Sequence, residues 1–405
     1  METTRSPRFA DVLQEHVSAL QDALRELSAS IDADLSVPYP LSKRLGIDKN
    51  LTWKAARILQ AGGPTEALKH LPGKSGRELF LDAFKRAGAP LQRVDAVSRA
   101  VSALEATVLL HTDDKATLEL VLDGIPQKGG ELLETSRKLA FRGNSGIWGV
   151  QARTRLTSVF LAPTAGDDDL VDLALVAGFF RFRRLREETP WPILKLRHIT
   201  HEGEAQPPSP SEPLDEAGVL EGGPSLLTDF STDPAPPIRS YETRTNRVIE
   251  LPEGPIGNPG AVDLVFGERF RGFAPRWAET AGETAEHQSD VDLPVEHLQF
   301  DLFVHRSLPL AKAPTFQLLG RLGRDVAPAG DRRKADALPI HEEIVSIEPS
   351  PRDLKTDWFP RYPELIESVS ARCGWNPSDF RVLRVTMDYP PAPTTAVILH
   401  ELPVR

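Results

Sequence analysis

The chain has 405 residues, 36 of them proline, with 48 Lys and Arg against 58 Asp and Glu and a formal net charge of −10. That length suits two or three domains of roughly 100–200 residues, and 10 of the prolines lie before residue 198 while 26 follow it. The lone cysteine, Cys373, excludes a disulfide framework within the chain, and the acidic total argues against a protein that coats nucleic acid with its whole surface.

Met1–Phe9 lacks the apolar core of a signal peptide. The longest apolar run, Leu170–Phe180, contains Asp172 and falls far short of the ~20 residues of a membrane span. A cytoplasmic bacterial protein is therefore expected. Residues 8–31 read as a helix, because Leu13, Val17, Leu20, Leu24 and Leu27 recur with 4-3-4-3 spacing. Such a seam suits an amphipathic helix docked on its own domain, or else a helix that pairs two copies as a homodimer. Val37–Pro40 is read as a break. Short helices follow at 41–46, 49–61, 64–70 and 75–88, punctuated by glycines. A longer helix spans 91–111, with Val94, Val97, Val101, Leu104 and Val108 on one face. Further helices are expected at 114–123 and 131–141.

The pattern changes at Gly143–Gly146. Val150–Leu161 is rich in β-branched residues and reads as a strand, Leu170–Leu185 as either a buried strand pair or a helix with a basic end, and Pro190–Ile199 as extended chain. Residues 198–237 hold eight acidic residues and no Lys or Arg, which predicts a solvated linker or long loop. Strands are expected at 247–251, 261–266 and 293–304, a second acidic insertion at 278–292, and helices at 310–322 and 360–374. A terminal hairpin or strand pair is expected from 382–389 and 395–402. The fold class is thus α+β: an all-α N-terminal domain, 1–142, then a β-rich, Pro-rich domain, 147–405, interrupted at 198–237.

One segment carries a functional signal. In residues 41–59, Leu41 and Leu45 can bury a first helix, Gly46 permits a left-handed turn, Ile47 can plug the space between helices and Asp48 can cap a second helix. Thr52, Ala56 and Leu59 would be its buried stripe, leaving Lys49, Asn50, Trp53, Lys54 and Arg57 on an exposed face. The segment resembles the bacterial helix-turn-helix DNA-binding superfamily. That resemblance implies a second helix set in the major groove, where amide and cationic side chains read base edges and grip phosphates. From Leu41 to Pro90 there are ten basic residues and four acids, net +6, within a chain of −10. A plain helical bundle, or a surface for protein or RNA, fits the same residues. The expected function is a DNA-binding transcriptional regulator with a C-terminal ligand-sensing or oligomerisation domain. The alternatives are a self-assembling scaffold, or an enzyme with its site in 147–405.

Other groups carry blander readings. Arg181, Arg183, Arg184 and Arg186 suggest a strand with one cationic face, either solvated or a partner for the acidic 198–237 segment, with phosphate or RNA binding as the alternative. His297, Asp301 and His305 read as outward polar positions of a half-buried strand, since four strand residues span roughly 13 Å and the trio cannot close on one metal. His341-Glu342-Glu343 lacks the second His of a zinc-protease helix and reads as exposed loop. Gly73-Lys74-Ser75 lacks the earlier glycine and preceding strand of a phosphate-binding loop. Cys373 reads as a small buried hydrophobe. No cofactor, metal or catalytic constellation is assigned.

Overall fold

The structure, a computed structural model, describes residues 9–112, 117–118, 121, 131–196, 198–199, 205–206, 210–220, 224–244, 246–321 and 335–405. The chain divides into two units, Met1–Gly129 and Gly130–Arg405. It is an α+β protein, helical in the first unit and dominated by sheets in the second.

The first unit contains α1 (Phe9–Ala29), α2 (Pro38–Leu45), α3 (Lys49–Gln60), α4 (Pro64–Lys69), α5 (Lys74–Arg86) and α6 (Leu91–His111). The five seam residues of α1 are almost fully buried. They share one apolar cluster with Val94, Val97, Val101 and Leu104 of α6, and Glu26 pairs with Arg93 across the two helices. The seam is therefore filled from within the unit, which takes away the surface that a homodimer through residues 8–31 would use. Pro38 does not break the chain but opens α2, three residues earlier than expected, where a missing N–H leaves no helical bond unmade. Gly46 ends α2 with φ +66°, and the N–H groups of Gly46 and Ile47 donate to the carbonyls of Lys43 and Ser42. Asp48 Oδ1 then accepts the Asn50 N–H at 2.7 Å and starts α3. The helix expected at 114–123 lies largely outside the described residues.

The second unit opens with α7 (Glu131–Trp148), which runs through Gly143–Gly146, where the sequence predicted a domain boundary. Its anchors are in the far half of the chain. Arg137 reaches the Glu342 carboxylate at 2.5 Å, both side chains being under 10% exposed, and the Phe141 ring packs on Tyr389. Those contacts outweigh two helical glycines at about 1 kcal/mol each. They also place residues 131–142 with the β-rich part, not at the end of the helical one.

The strands are β1 (Val150–Thr164), β2 (Asp167–Arg184), β3 (Trp191–Leu196), β4 (Arg239–Glu242), β5 (Arg247–Leu251), β6 (Val262–Pro275), β7 (Thr284–Val291), β8 (Val295–His305), β9 (Thr315–Gly320), β10 (Val345–Ile347), β11 (Phe380–Asp388) and β12 (Thr394–Glu401). The main sheet runs β10-β11-β8-β1-β2-β6, extended by the two-residue strands Glu212–Pro213 and Ser225–Leu226 along β6. β1 is parallel to β8 and antiparallel to β2. Gly178 of β2 lies so close to β6 that a Cβ would sit 2.5 Å from the Leu264 carbonyl oxygen. Two three-stranded sheets run β3-β5-β4 and β7-β12-β9, and the two-residue strands His198–Ile199 and Ala205–Gln206 pair as a further small sheet.

Both faces of the main sheet are covered. On one, Leu156, Phe160, Val176 and Phe303 pack with Leu365, Ile366 and Val369 of α9 (Tyr362–Cys373), which follows the single turn α8 (Pro351–Leu354). On the other, Val159, Phe179, Phe266 and Phe300 pack with Ile249 and Leu251 of β5 and with Ala396 and Ile398 of β12. The result is three layers around two apolar clusters.

Several expectations for this unit change. Leu170–Leu185 resolves to the 18-residue β2. Residues 278–292 are not an insertion but hold β7, whose inward positions include His287 and Ser289 as well as Val291. The stretch expected to be a helix at 310–322 instead holds strand β9, which pairs antiparallel with β12. β11 and β12 do not pair with each other, joining different sheets instead. The described part of 198–237 is no solvated linker: Leu214, Leu227 and Phe230 enter the apolar cluster under α9. Its buried Asp215 accepts the Thr228 N–H and hydroxyl at 3.1 and 3.0 Å.

Candidate nucleic-acid interface

The side chains singled out in α3 follow from its burial pattern. Thr52, Ala55, Ala56 and Ile58 point into the unit. Gln21 of α1 donates to the carbonyls of Ile58 and Ala61 at 2.9 and 3.0 Å, which fixes the far end of the helix. That orientation leaves Lys49, Asn50 and Arg57 exposed, Trp53 42% exposed and Lys54 half-buried. Lys49, Trp53 and Arg57 are four residues apart and form one stripe, with Asn50 and Lys54 forming the next. At 1.5 Å per residue the stripe from Lys49 to Arg57 is about 12 Å long.

Trp53 is braced from both sides. Its ring meets His70 edge-on, with centroids 5.2 Å apart, and the Arg57 guanidinium lies 5.3 Å from its centroid. The His70 imidazole is held below its ordinary pKa, first by burial and then by the charge of Arg57. Lys54 and Lys69 act in the same direction, against Glu66. The charges of Arg57, Lys54 and Lys69 thus act together in favouring the neutral imidazole. The nearby carboxylates are engaged with backbone: Asp48 caps α3, and Glu66 accepts the Gly62 N–H at 3.1 Å. The sequence reading missed Lys69 and His70. Both fall in the +6 segment, but no pattern in the sequence says that α4 folds back beside Trp53.

The remaining candidates are held by structural contacts. Asp301 is not an outward position: it is fully buried. Both faces of the main sheet are covered, so alternation along β8 no longer separates inside from outside. Its carboxylate accepts from Arg384 Nε at 2.9 Å and Nη2 at 2.7 Å, from the Tyr362 hydroxyl at 2.6 Å and from Gln299 Nε2 at 3.0 Å. Burial, and then the Asp301 charge, push the Tyr362 hydroxyl well above its ordinary pKa. His297 and His305 go elsewhere. His297 bonds Asp388 at 2.7 Å and stacks on Trp358, while His305 bonds Ser307. Glu342, expected in an exposed loop, is the buried partner of Arg137. Arg184 leaves the expected cationic face and is buried, donating to the Thr189 carbonyl at 3.0 Å and also to that of Pro252. Burial pushes the Cys373 thiol up to about 11. Among the described residues no three His, Cys, Asp or Glu side chains are placed to hold a metal ion, and no helix is long and apolar enough to cross a membrane.

Comparison with family models, with curated proteins and with solved structures returns no match for this chain.

Proposed function

We propose that the chain is a DNA-binding regulator whose α2 and α3 act as a helix-turn-helix, with α3 as the helix that enters the major groove. In this reading Lys49 and Asn50, on the first turn of α3, meet base edges. Lys54, Arg57 and Lys69 meet phosphates, and Trp53 lies against the sugar-phosphate backbone, stiffened by His70 and Arg57. The acidic remainder of the chain is repelled by the duplex, which orients the approach. The β-rich unit would supply ligand sensing or self-association. The observation that carries the reading is the accessible face of Lys49, Asn50, Trp53 and Arg57 on one helix, inside a +6 segment of a −10 chain.

The test is fluorescence anisotropy of a random-sequence duplex with the full chain, from about 25 to about 200 mM salt. Binding should weaken steeply with salt. Lys54→Ala should reduce the slope of log affinity against log salt by about 1. Absence of binding at the lowest salt, or an unchanged slope in Lys54→Ala, counts against this interface.

A further inference from the structure

Behind α3, on the side away from the cationic stripe, the first unit holds a pocket of about 210 Å³ that is open to solvent. Its walls include Leu20, Leu24, Ile58, Phe80, Val97 and Val101. Side chains in a well-packed helical bundle leave few voids larger than a water molecule. An apolar cavity of ~150 Å³ already suffices for a benzene ring. This one is larger, and its lining also includes Lys74, Arg77, Glu78, Ser98 and Ser102, of which all but Arg77 are exposed and so mark its polar mouth.

The mouth has a defined chemistry. Arg77 is locked in place by Glu105, at 2.5 and 3.1 Å, and by the Pro72 carbonyl at 3.1 Å. Lys74 is exposed and makes no ion pair among the described residues. It is also the first residue of α5, which Gly73 leaves without a side-chain cap, so the positive end of that helix lies on the Lys74 side. Glu78 opposes these groups from the next turn, but the surrounding 41–90 segment is net +6. Apolar walls with an unpaired ammonium at the rim suit one chemical class: a small carboxylic acid with an apolar body.

We infer that the helical unit binds such an acid, with a body of one ring or about six to eight carbons, its chain among the α1, α3, α5 and α6 side chains and its carboxylate at Lys74. This inference is independent of DNA binding, because its site and its test involve no nucleic acid.

The experiment is titration calorimetry of the full chain with octanoate, octan-1-ol and octylamine. Octanoate should bind at least about threefold tighter than either of the others, the scale of one exposed charge pair. Ser98→Trp places an indole in the mouth from an exposed position and should abolish octanoate binding, with helix content checked by circular dichroism. Lys74→Glu, at an exposed position of the mouth, should remove the preference for the acid. No heat with any of the three probes overturns the inference. So does octan-1-ol binding as tightly as octanoate, or octanoate binding that survives both Ser98→Trp and Lys74→Glu.

Discussion

Replacing Asp301 by alanine should unfold the second unit far more readily than its size suggests. The side chain is fully buried, and it is the common acceptor for Arg384, Tyr362 and Gln299. Its removal leaves a guanidinium whose side chain is 10% exposed without its counter-charge. Crediting each of the four hydrogen bonds with the ~1.5–3 kcal/mol of a charged bond overshoots, because the bonds share one desolvated carboxylate. Breaking a buried ion pair by deleting one partner costs about 3–5 kcal/mol, which is the relevant scale. With a urea m-value of about 3 kcal/mol/M, the midpoint should fall by about 1–1.7 M. Tryptophan emission is a suitable assay. Five of the six tryptophans follow residue 130, and Trp358 donates to Gln299, itself bonded to Asp301, at 2.9 Å. Asp301→Asn should cost nearly as much as Asp301→Ala, since the shape stays and the charge goes, whereas Tyr362→Phe should cost only about 1–2 kcal/mol. A midpoint shift below about 0.3 M for Asp301→Ala would show that the carboxylate does not hold this network together.

Acid should destabilise the same unit through a second buried pair. His287 and His400 lie with their Nε2 atoms 3.2 Å apart. Burial pushes both pKa values down, to about 3 for His287, where the neighbouring His400 adds to the effect, and to about 4 for His400. The unfolded chain takes up these protons near pH 6.5, whereas the folded one resists until pH 3–4. Stability is therefore fully present above pH 6.5 and declines as pH falls, by on the order of 2 kcal/mol per histidine at about pH 4.5. Urea midpoints of wild type and of His287→Gln/His400→Gln across this range isolate the pair, and parallel profiles would refute the assignment. In the first unit, Gly46→Ala places a methyl group where no atom lies within 4 Å, at φ +66°. The cost is then backbone conformation alone, about 1–2 kcal/mol, read as a lower midpoint of the helical signal. Gly46→Asn should be milder, because asparagine tolerates the left-handed region, and equal losses from the two substitutions would refute this account of the turn.

The helices of the first unit were legible because each has a local cause: the 4-3-4-3 seam of α1, the Gly46 stop, the Asp48 cap. The accessible face of α3 was legible for the same reason, since its buried stripe fixes which side chains remain outside. Lys69 and His70 were not, because their place beside Trp53 depends on how α4 folds back. In the second unit the strands with alternating or continuous apolar residues could be read, β1 and β8 among them. β7 could not, because His287 and Ser289 occupy inward positions that hydrophobicity does not mark. Asp301 failed for a related reason. Alternation predicts one wet face of β8, the face that carries Asp301, but α9 covers that face and brings Tyr362 to the carboxylate. Which strands pair was outside the reach of periodicity altogether, as β11 and β12 illustrate by joining different sheets.

The anchoring of α7 bears on the order in which the protein can be made. The helical unit closes its apolar cluster with residues from Leu13 to Leu104, so it can complete its core while most of the chain is still unsynthesised. The first element of the second unit has no such option. Arg137 waits for Glu342, 205 residues later, and Phe141 waits for Tyr389. Until the ribosome has passed those positions, α7 and β1 emerge with apolar faces uncovered. The exposed interval is set by translation at about 5–20 residues per second, which leaves the start of the second unit unprotected for some tens of seconds at the slower rates. The early-folding unit thus costs the cell little supervision, and the demand for chaperones falls on the part whose beginning is held by its end.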